Sequence, residues 1–410
     1  MFLIKKQKRK GLFRKSNKYP IIDLDAASTT PMSLEVLRKM HPYFTDLYFN
    51  PNAIHSAGQL VASEIYLKRK EITEYFHVQN SNILFTSSAT EANNWVILSC
   101  AQVILPKGAK PHIIYSAIEH DSIIAPIKAL ENKGLITTTV LNVDEHGLIS
   151  VEELEKNLSE NTALVSVMGV NNEIGALEPL KEIGELLNSF KHKQNTPYPY
   201  FHTDAVQALN YFFWEDIKGL DYLTFSAHKI YGPKGIGGLL IFNAPSFKNL
   251  QPLILGGHQE FNLRASTENV PLIVGLAEAL SILNINKNKE IKYLTKLKKS
   301  FLTNLLKESQ FIEVNGSLDH SSPCILNCYF PGVLASDMVV GLSEKGILAS
   351  PGAACSANST NPSHVINAMY HNKIRAQESV RFSFNHNLSL NNIKKAACMV
   401  GDTYNKLKKV

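Results

Sequence analysis

Short apolar runs alternating with helix-period stretches dominate the middle of the chain. Between residues 80 and 245, "NILF", "HIIYS", "TTTVLNV", "ALVSVMGV", "YPYFH", "YLTF" and "GGLLIF" read as strands, while 89–104 and "IIAPIKALE" carry the helical period. Strands apolar along their whole length are buried on both faces. Their alternation with helices predicts an α/β fold built on a mostly parallel, doubly wound sheet. Polar residues cluster just after the strand ends, where such sheets bind ligands. Beyond residue 270 the pattern changes. Residues 271–309 are mainly helical, with the Lys-rich "NINKNKEIKYLTKLKKS" giving an exposed face. Two more strands, "PCILNCYF" and "SVRFSF", flank helical stretches around 335–345 and 362–371. Leu390, Ile393, Ala397, Val400, Tyr404 and Leu407 then mark a closing helix over 389–408. This second part reads as a smaller C-terminal α/β domain.

At 410 residues the chain is long enough for two or three domains, and 44% hydrophobic with 19% charged residues is ordinary for a globular enzyme. The net charge of +6 is unevenly placed. Eight basic residues, from Lys5 to Lys18, precede the first acid, Asp23; the remainder carries 34 basic against 36 acidic residues. The basicity therefore belongs to a tail, residues 1–18, and no nucleic-acid-binding body is indicated. Three readings of that tail stay open: a plain basic arm, a contact for an acidic partner or membrane surface, and an organellar presequence. No apolar run reaches the roughly 18–20 residues of a membrane span.

Five cysteines (Cys100, Cys324, Cys328, Cys355 and Cys398) make an odd number without a CxxC pair, which suggests neither a disulfide framework nor a zinc site. Reduced thiols in the cytoplasm are the expectation. Cys324 and Cys328 lie in a strand pattern and Cys100 and Cys398 in helical apolar patterns, so all four read as core residues. Cys355 differs: it sits in "SPGAACSANSTNP", a run of small and turn-forming residues with nothing to bury it.

The strongest chemical signal is "FSAHKIYGPKGIGG", residues 225–238. A strand ends in small polar residues, then His228 and Lys229, then a glycine-rich turn lacking the Lys-Ser/Thr ending of a nucleotide phosphate loop. A lysine at a strand end can form a Schiff base with an aldehyde cofactor. Asp204 in "YFHTDAVQ" ends another strand, and a carboxylate there suits a protonated pyridine nitrogen. "FTSSATEANN" places Ser87, Ser88 and Thr90 at a helix start, either as a plain cap or as a seat for phosphate. His120 in "SAIEHDS" and Asn171 and Asn172 in "GVNNEIGA" follow further strands.

With these blocks in order, the chain resembles the cysteine desulfurases, the NifS/IscS-like branch of the class V, fold-type I pyridoxal-phosphate (PLP) enzymes. The resemblance runs over nearly everything after residue 19: "LDAASTTP", "NPNAIHSAGQ", "FTSSATEANN", "EH", "VNNEIG", "HTDAVQ", "SAHKIYGPKGIG", "LRASTEN", "AAC" and "SVRFS". It implies a seven-stranded large PLP-binding domain over 31–283. A small domain would comprise 19–30 and 284–410 and carry a mobile cysteine loop at about 349–363. It also implies roles. Lys229 holds PLP and moves the substrate α-proton; His120 stacks on the ring; Asp204 pairs with the pyridine nitrogen; Asn172 and Gln207 bond the ring oxygen. Ala89, Thr90, Ser226 and His228 hold the phosphate, with Thr267 arriving from the second subunit of a homodimer. Arg381, with Asn172, grips the substrate carboxylate.

Cys355 becomes the nucleophile that takes sulfur from L-cysteine as a persulfide, leaving L-alanine. Its exposure then serves both thiolate formation and reach. The sulfur acceptor implied is an iron–sulfur scaffold-like or tRNA-thiolation protein. No resident metal is implied, only Cys355 as a transient iron–sulfur ligand, and no specific nucleic acid. The family's "GGGQERGLRSGT" appears here as "GGHQEFNLRAST", a departure that bears on affinity or substrate scope. The competing readings are a selenocysteine lyase or aminotransferase of the same fold, a non-catalytic sulfur-relay paralogue, and a nucleic-acid role through the tail.

Overall fold

The structure, a computed structural model, describes residues 21–77, 82–103, 105, 108–352 and 362–408. The basic tail and Cys355 lie outside the described residues. Among the described residues the strands are β1 (Ile22–Asp23), β2 (Asn82–Thr86), β3 (His112–Ser116), β4 (Thr137–Leu141), β5 (Thr162–Ser166) and β6 (Tyr200–Asp204). They continue with β7 (Tyr222–Ser226), β8 (Gly237–Ile241), β9 (Glu313–Val314), β10 (Ile325–Tyr329), β11 (Ile347–Leu348) and β12 (Ser379–Ser383).

Seven strands form the central sheet in the order β2-β8-β7-β6-β5-β3-β4. All run parallel except β8, which is antiparallel to both β2 and β7. Every residue of β5, β6, β7 and β8 is buried, as the unbroken apolar runs require. Helices cover both faces. On one side Trp95, Val96 and Ile97 of helix Ala89–Cys100 pack with Ile123 and Ile127 of helix Asp121–Asn132. On the other, Val61 and Ile65 of helix Ser56–Tyr75 and Ile183 and Leu187 of helix Leu180–Gln194 belong to one continuous core.

The 271–309 pattern is one helix, Val270–Glu308, spanning about 58 Å at 1.5 Å per residue. Its first half, from Val270 to Leu283, joins the core of the large sheet. Its second half, from Leu294 to Leu305, joins a separate core with β10, β12 and helix Leu390–Leu407. Among the described residues this helix alone is long and apolar enough, by composition, to cross a membrane. Its buried stripe packed into two cores accounts for that apolarity. In the second core β12, β10 and β9 form an antiparallel sheet, and β1 pairs with β11 in parallel.

The core expectation holds in part. Cys100 and Cys328 are fully buried, Cys324 is half-buried against the second core, and Cys398 is exposed. It follows Ala397 on the closing helix, and one residue further round turns it about 100° off the apolar stripe.

Candidate active site

The parallel strands β2, β3, β5, β6 and β7 all end at the same edge of the sheet, and the residues that follow them line one cleft of about 180 Å³. Ser88, Ala89 and Thr90 come after β2, His120 after β3, and Asn172 after β5. Asp204 and Gln207 come from β6 and its end, and Ser226, His228 and Lys229 from β7 and the turn after it. Arg381 of β12 reaches in from the second core. Eleven sequence-predicted positions thus meet in one place. Thr267 does not: it is exposed and away from this cleft.

The floor holds Asp204, 5% exposed. Its Oδ1 accepts from the Val206 N–H at 2.9 Å and its Oδ2 from Asn93 Nδ2 at 2.8 Å. The turn Ala227–Lys229 aims Lys229 across the cleft, where Nζ donates to the Ala27 and Ser28 carbonyls at 2.6 and 2.7 Å. Gln207 Nε2 donates to the same Ala27 carbonyl at 3.0 Å. His228 contacts Thr29 Oγ1 through Nδ1 at 3.1 Å. Burial, with Lys229 and Lys234 nearby, pushes its imidazole down to about 4, so it is neutral at physiological pH.

One wall is the start of helix Ala89–Cys100. Ser88 caps it, its Oγ accepting from the Glu91 N–H at 3.2 Å. The first N–H groups, of Ala89 and Thr90, have no intrahelical acceptor and face the cleft's polar rim, a ready seat for an anion. Gly237 explains part of the glycine-rich turn. A Cβ there would lie 2.6 Å from Phe225 O, 2.8 Å from Ser88 C and 2.9 Å from Ala89 N, so only glycine lets β8 pass this close to the helix start. Glu91 receives the Ser87 N–H at 2.8 Å and Arg264 Nε at 2.9 Å. Burial alone would raise the Glu91 carboxyl, but the bonds from Arg264 and Ser87 bring it below its ordinary value.

Arg264 belongs to the unusual segment 256–267. Here Glu260, Phe261 and Asn262 all take left-handed φ (48°, 58° and 66°). Glu260 holds the turn by pairing with Arg69 and accepting the Phe85 N–H at 2.9 Å, while Arg69 lies 5.5 Å over the Phe261 ring.

Arg381, 1% exposed, donates from Nη2 to Asp25 Oδ1 at 2.9 Å and Ser28 Oγ at 2.7 Å, and from Nη1 to Asn172 O at 2.9 Å. Its buried Nε has no hydrogen-bond partner among the described residues. A buried guanidinium with a donor to spare, at the edge of a cleft, fits a carboxylate.

Sequence reading missed the Ala27 and Ser28 carbonyls that meet Lys229, the Ser28 hydroxyl that meets Arg381, and the contributions of Asn93 and Ser122. Asn93 alone carried a usable signal: it is a polar residue on the apolar face of its helix, fully buried among Ala92, Trp95 and Val96.

The class-V aminotransferase family model matches residues 22–395. The chain belongs to the class-V aminotransferase family. Within it, the chain is 39% identical over 389 residues to a putative cysteine desulfurase IscS 1 of Bacillus subtilis, covering 94% of this chain and 99% of that one. It is 37% identical over 361 residues to a cysteine desulfurase IscS of Dictyoglomus turgidum, covering 88% of each. Among solved structures, a NifS-like protein superposes with a TM-score of 0.84 at 30% identity, over 94% of this chain and all of that one. SspA, solved in complex with cysteine, superposes with a TM-score of 0.75 at 32% identity, over 88% of this chain and 98% of that one. The seven-stranded, mostly parallel sheet is that of the fold-type I members of this class-V family.

Proposed function

We propose that this protein is a PLP-dependent cysteine desulfurase that converts L-cysteine to L-alanine and holds the released sulfur as a persulfide on Cys355. The observation that carries this reading is the convergence of Lys229, Asp204, the start of helix Ala89–Cys100 and Arg381 on one cleft. The donors fit PLP: a lysine for its aldehyde, a carboxylate for its ring nitrogen, and free helix N–H groups with Ser226 and His228 for its phosphate. When bound, PLP supplies the electron sink for bond breaking next to the amino acid's α-carbon.

Each residue then has a task. Arg381 and Asn172 bind the substrate carboxylate and fix its orientation. With PLP bound, Lys229 would move the substrate α-proton, His120 would stack on the ring, and Asn172 and Gln207 would bond the ring oxygen. Cys355, as thiolate, would attack the substrate sulfur; an S–S bond forms as the Cβ–S bond breaks, the electron pair of that bond stays with the carbon skeleton, and the skeleton takes up a proton at Cβ and leaves as alanine.

Two contacts favour Cys355 for this step, because both described flanks of 353–361 are tied to the cleft. Ser350 exchanges backbone hydrogen bonds with Arg381 at 2.8 and 3.2 Å. His364 Nε2 contacts the carbonyl of Glu119, next to His120, at 3.0 Å.

The partition of the long helix's buried side chains between Leu283 and Leu294 supports a large domain of 31–283 and a small one of 19–30 with 284–410. A homodimer is supported by exposed apolar side chains on neighbouring elements, among them Ile54, Leu60, Tyr66 and Leu255, with Thr267 offered to the partner's phosphate. The acceptor is an iron–sulfur scaffold-like or tRNA-thiolation protein, and the compartment the cytoplasm. Purified protein with added PLP should release alanine from L-cysteine, and Lys229→Ala should abolish it. A keto acid in place of alanine would favour the aminotransferase reading.

A further inference from the structure

Beneath the cleft a polar chain crosses the sheet, and its centre is Asn93. This side chain is fully buried and spends both amide N–H groups and one carbonyl lone pair on named partners. Nδ2 donates to Asp204 Oδ2 at 2.8 Å and to Ser122 Oγ at 2.8 Å, while Oδ1 accepts from Thr224 Oγ1. A carboxylate only accepts, so the amide must turn its nitrogen toward Asp204, and that orientation leaves Oδ1 as the acceptor for Thr224.

Thr224 gives its single proton to Asn93, so at 3.3 Å it accepts from His202 Nε2. Burial pushes His202 down to about 3, leaving a neutral ring whose Nδ1 accepts from Ser166 Oγ at 2.9 Å. At the other end, Ser122 Oγ accepts from Asn93 and lies 2.8 Å from His120 Nδ1. The Ser122 N–H reaches the same nitrogen at 3.1 Å. His120 Nδ1 is therefore held as an acceptor.

We propose that Asn93 is a positioning residue that fixes the Asp204 carboxylate and the His120 ring together, through one amide, before the cofactor arrives. The two groups come from different strand ends, 84 residues apart in sequence. Asn93 touches Asp204 directly and His120 only through Ser122, so the two couplings can be separated. A buried network of this kind is rigid, because any rotation leaves a buried polar group unpaired. The proposal rests on the reading that this cleft binds PLP between Asp204 and His120.

The test uses full-length protein labelled with 15N-histidine and freed of cofactor. Asn93→Ala should move the His120 Nδ1 resonance, because Ser122 Oγ is released to turn. In a Ser122→Ala background the same substitution should leave that resonance where it is. In parallel, Asn93→Ala should weaken PLP binding about 10-fold or more by freeing Asp204, and by a larger factor than Ser122→Ala, which keeps the Asn93–Asp204 bond. If Asn93→Ala fails to fold, the near-isosteric Asn93→Leu, which has no donor, should give the same resonance shift. An unmoved His120 resonance, a shift of equal size with and without Ser122, or unchanged PLP affinity would overturn the proposal. Alanine release from L-cysteine by the wild type is scored separately: its absence strikes the functional reading, while the resonances in the cofactor-free protein still decide this one.

Discussion

Adding one methyl group at Gly237 should uncouple cofactor affinity from stability in a way its neighbour cannot. A Cβ at Gly237 meets three backbone atoms, Phe225 O at 2.6 Å, Ser88 C at 2.8 Å and Ala89 N at 2.9 Å. Backbone cannot rotate away, so with real Cβ contacts beginning near 3.0 Å, β8 must part from β7 by at least about 0.4 Å and from the helix start by about 0.2 Å. At Gly238 a Cβ meets only side chains, the Phe225 ring at 2.7 Å and Ile83 Cδ1 at 2.9 Å. Both Gly→Ala variants should therefore lose about 1–3 kcal/mol of stability through overpacking. Only Gly237→Ala also shifts the N–H groups of Ala89 and Thr90. Losing one charge-assisted hydrogen bond of about 1.5–3 kcal/mol weakens PLP binding roughly 10- to 150-fold. Equilibrium titration of cofactor-free protein with PLP, beside urea denaturation, reads both quantities. Wild-type affinity in Gly237→Ala, or an equal loss in Gly238→Ala, would refute the assignment of this helix start as the phosphate seat.

Arg381→Lys keeps the charge but loses the planar fork; L-cysteine KM should rise about 10-fold or more with kcat changed much less, as steady-state kinetics would show. An equal fall in kcat at unchanged KM would argue that Arg381 acts after binding. Glu178 is buried, and desolvation pushes its carboxyl from 4.5 up to about 8. The folded state keeps a proton that the unfolded chain releases, so this contribution is whole below pH 4.5 and lost toward pH 8. Each pH unit in that window should cost about 1.4 kcal/mol of stability per such group, and Glu178→Gln should remove its share of the slope in urea melts. A Glu178→Gln difference that stays constant with pH would contradict it. His202, held neutral down to about 3, acts in the opposite sense, withdrawing stability as pH falls below 6.5.

Much of this was legible because burial on both sheet faces writes itself as unbroken apolar runs. "YLTF" and "GGLLIF" became β7 and β8, and the polar residues after the strand ends became the cleft. The antiparallel sense of β8 was not legible, since direction leaves no mark on a fully buried strand. Nor were the Ala27 and Ser28 carbonyls, which meet Lys229 across some 200 positions through backbone rather than side chain. The Asn93 chain depends on partners at 122, 204 and 224 that only the fold brings within reach. The left-handed run Glu260–Asn262 was equally hidden, because "EFN" carries no glycine to announce it. Cys398 misled by lying one position from a helical stripe.

Sulfur transfer to Cys355 is the central claim, and mass spectrometry of the protein after incubation with L-cysteine tests it most directly. The account predicts one added sulfur atom on the Cys355 peptide, released by a thiol reductant, with alanine formed alongside. Cys355→Ala should form neither the adduct nor alanine at more than a trace. Full alanine production by Cys355→Ala, or an unmodified Cys355 peptide in a wild type that turns over, would contradict the account.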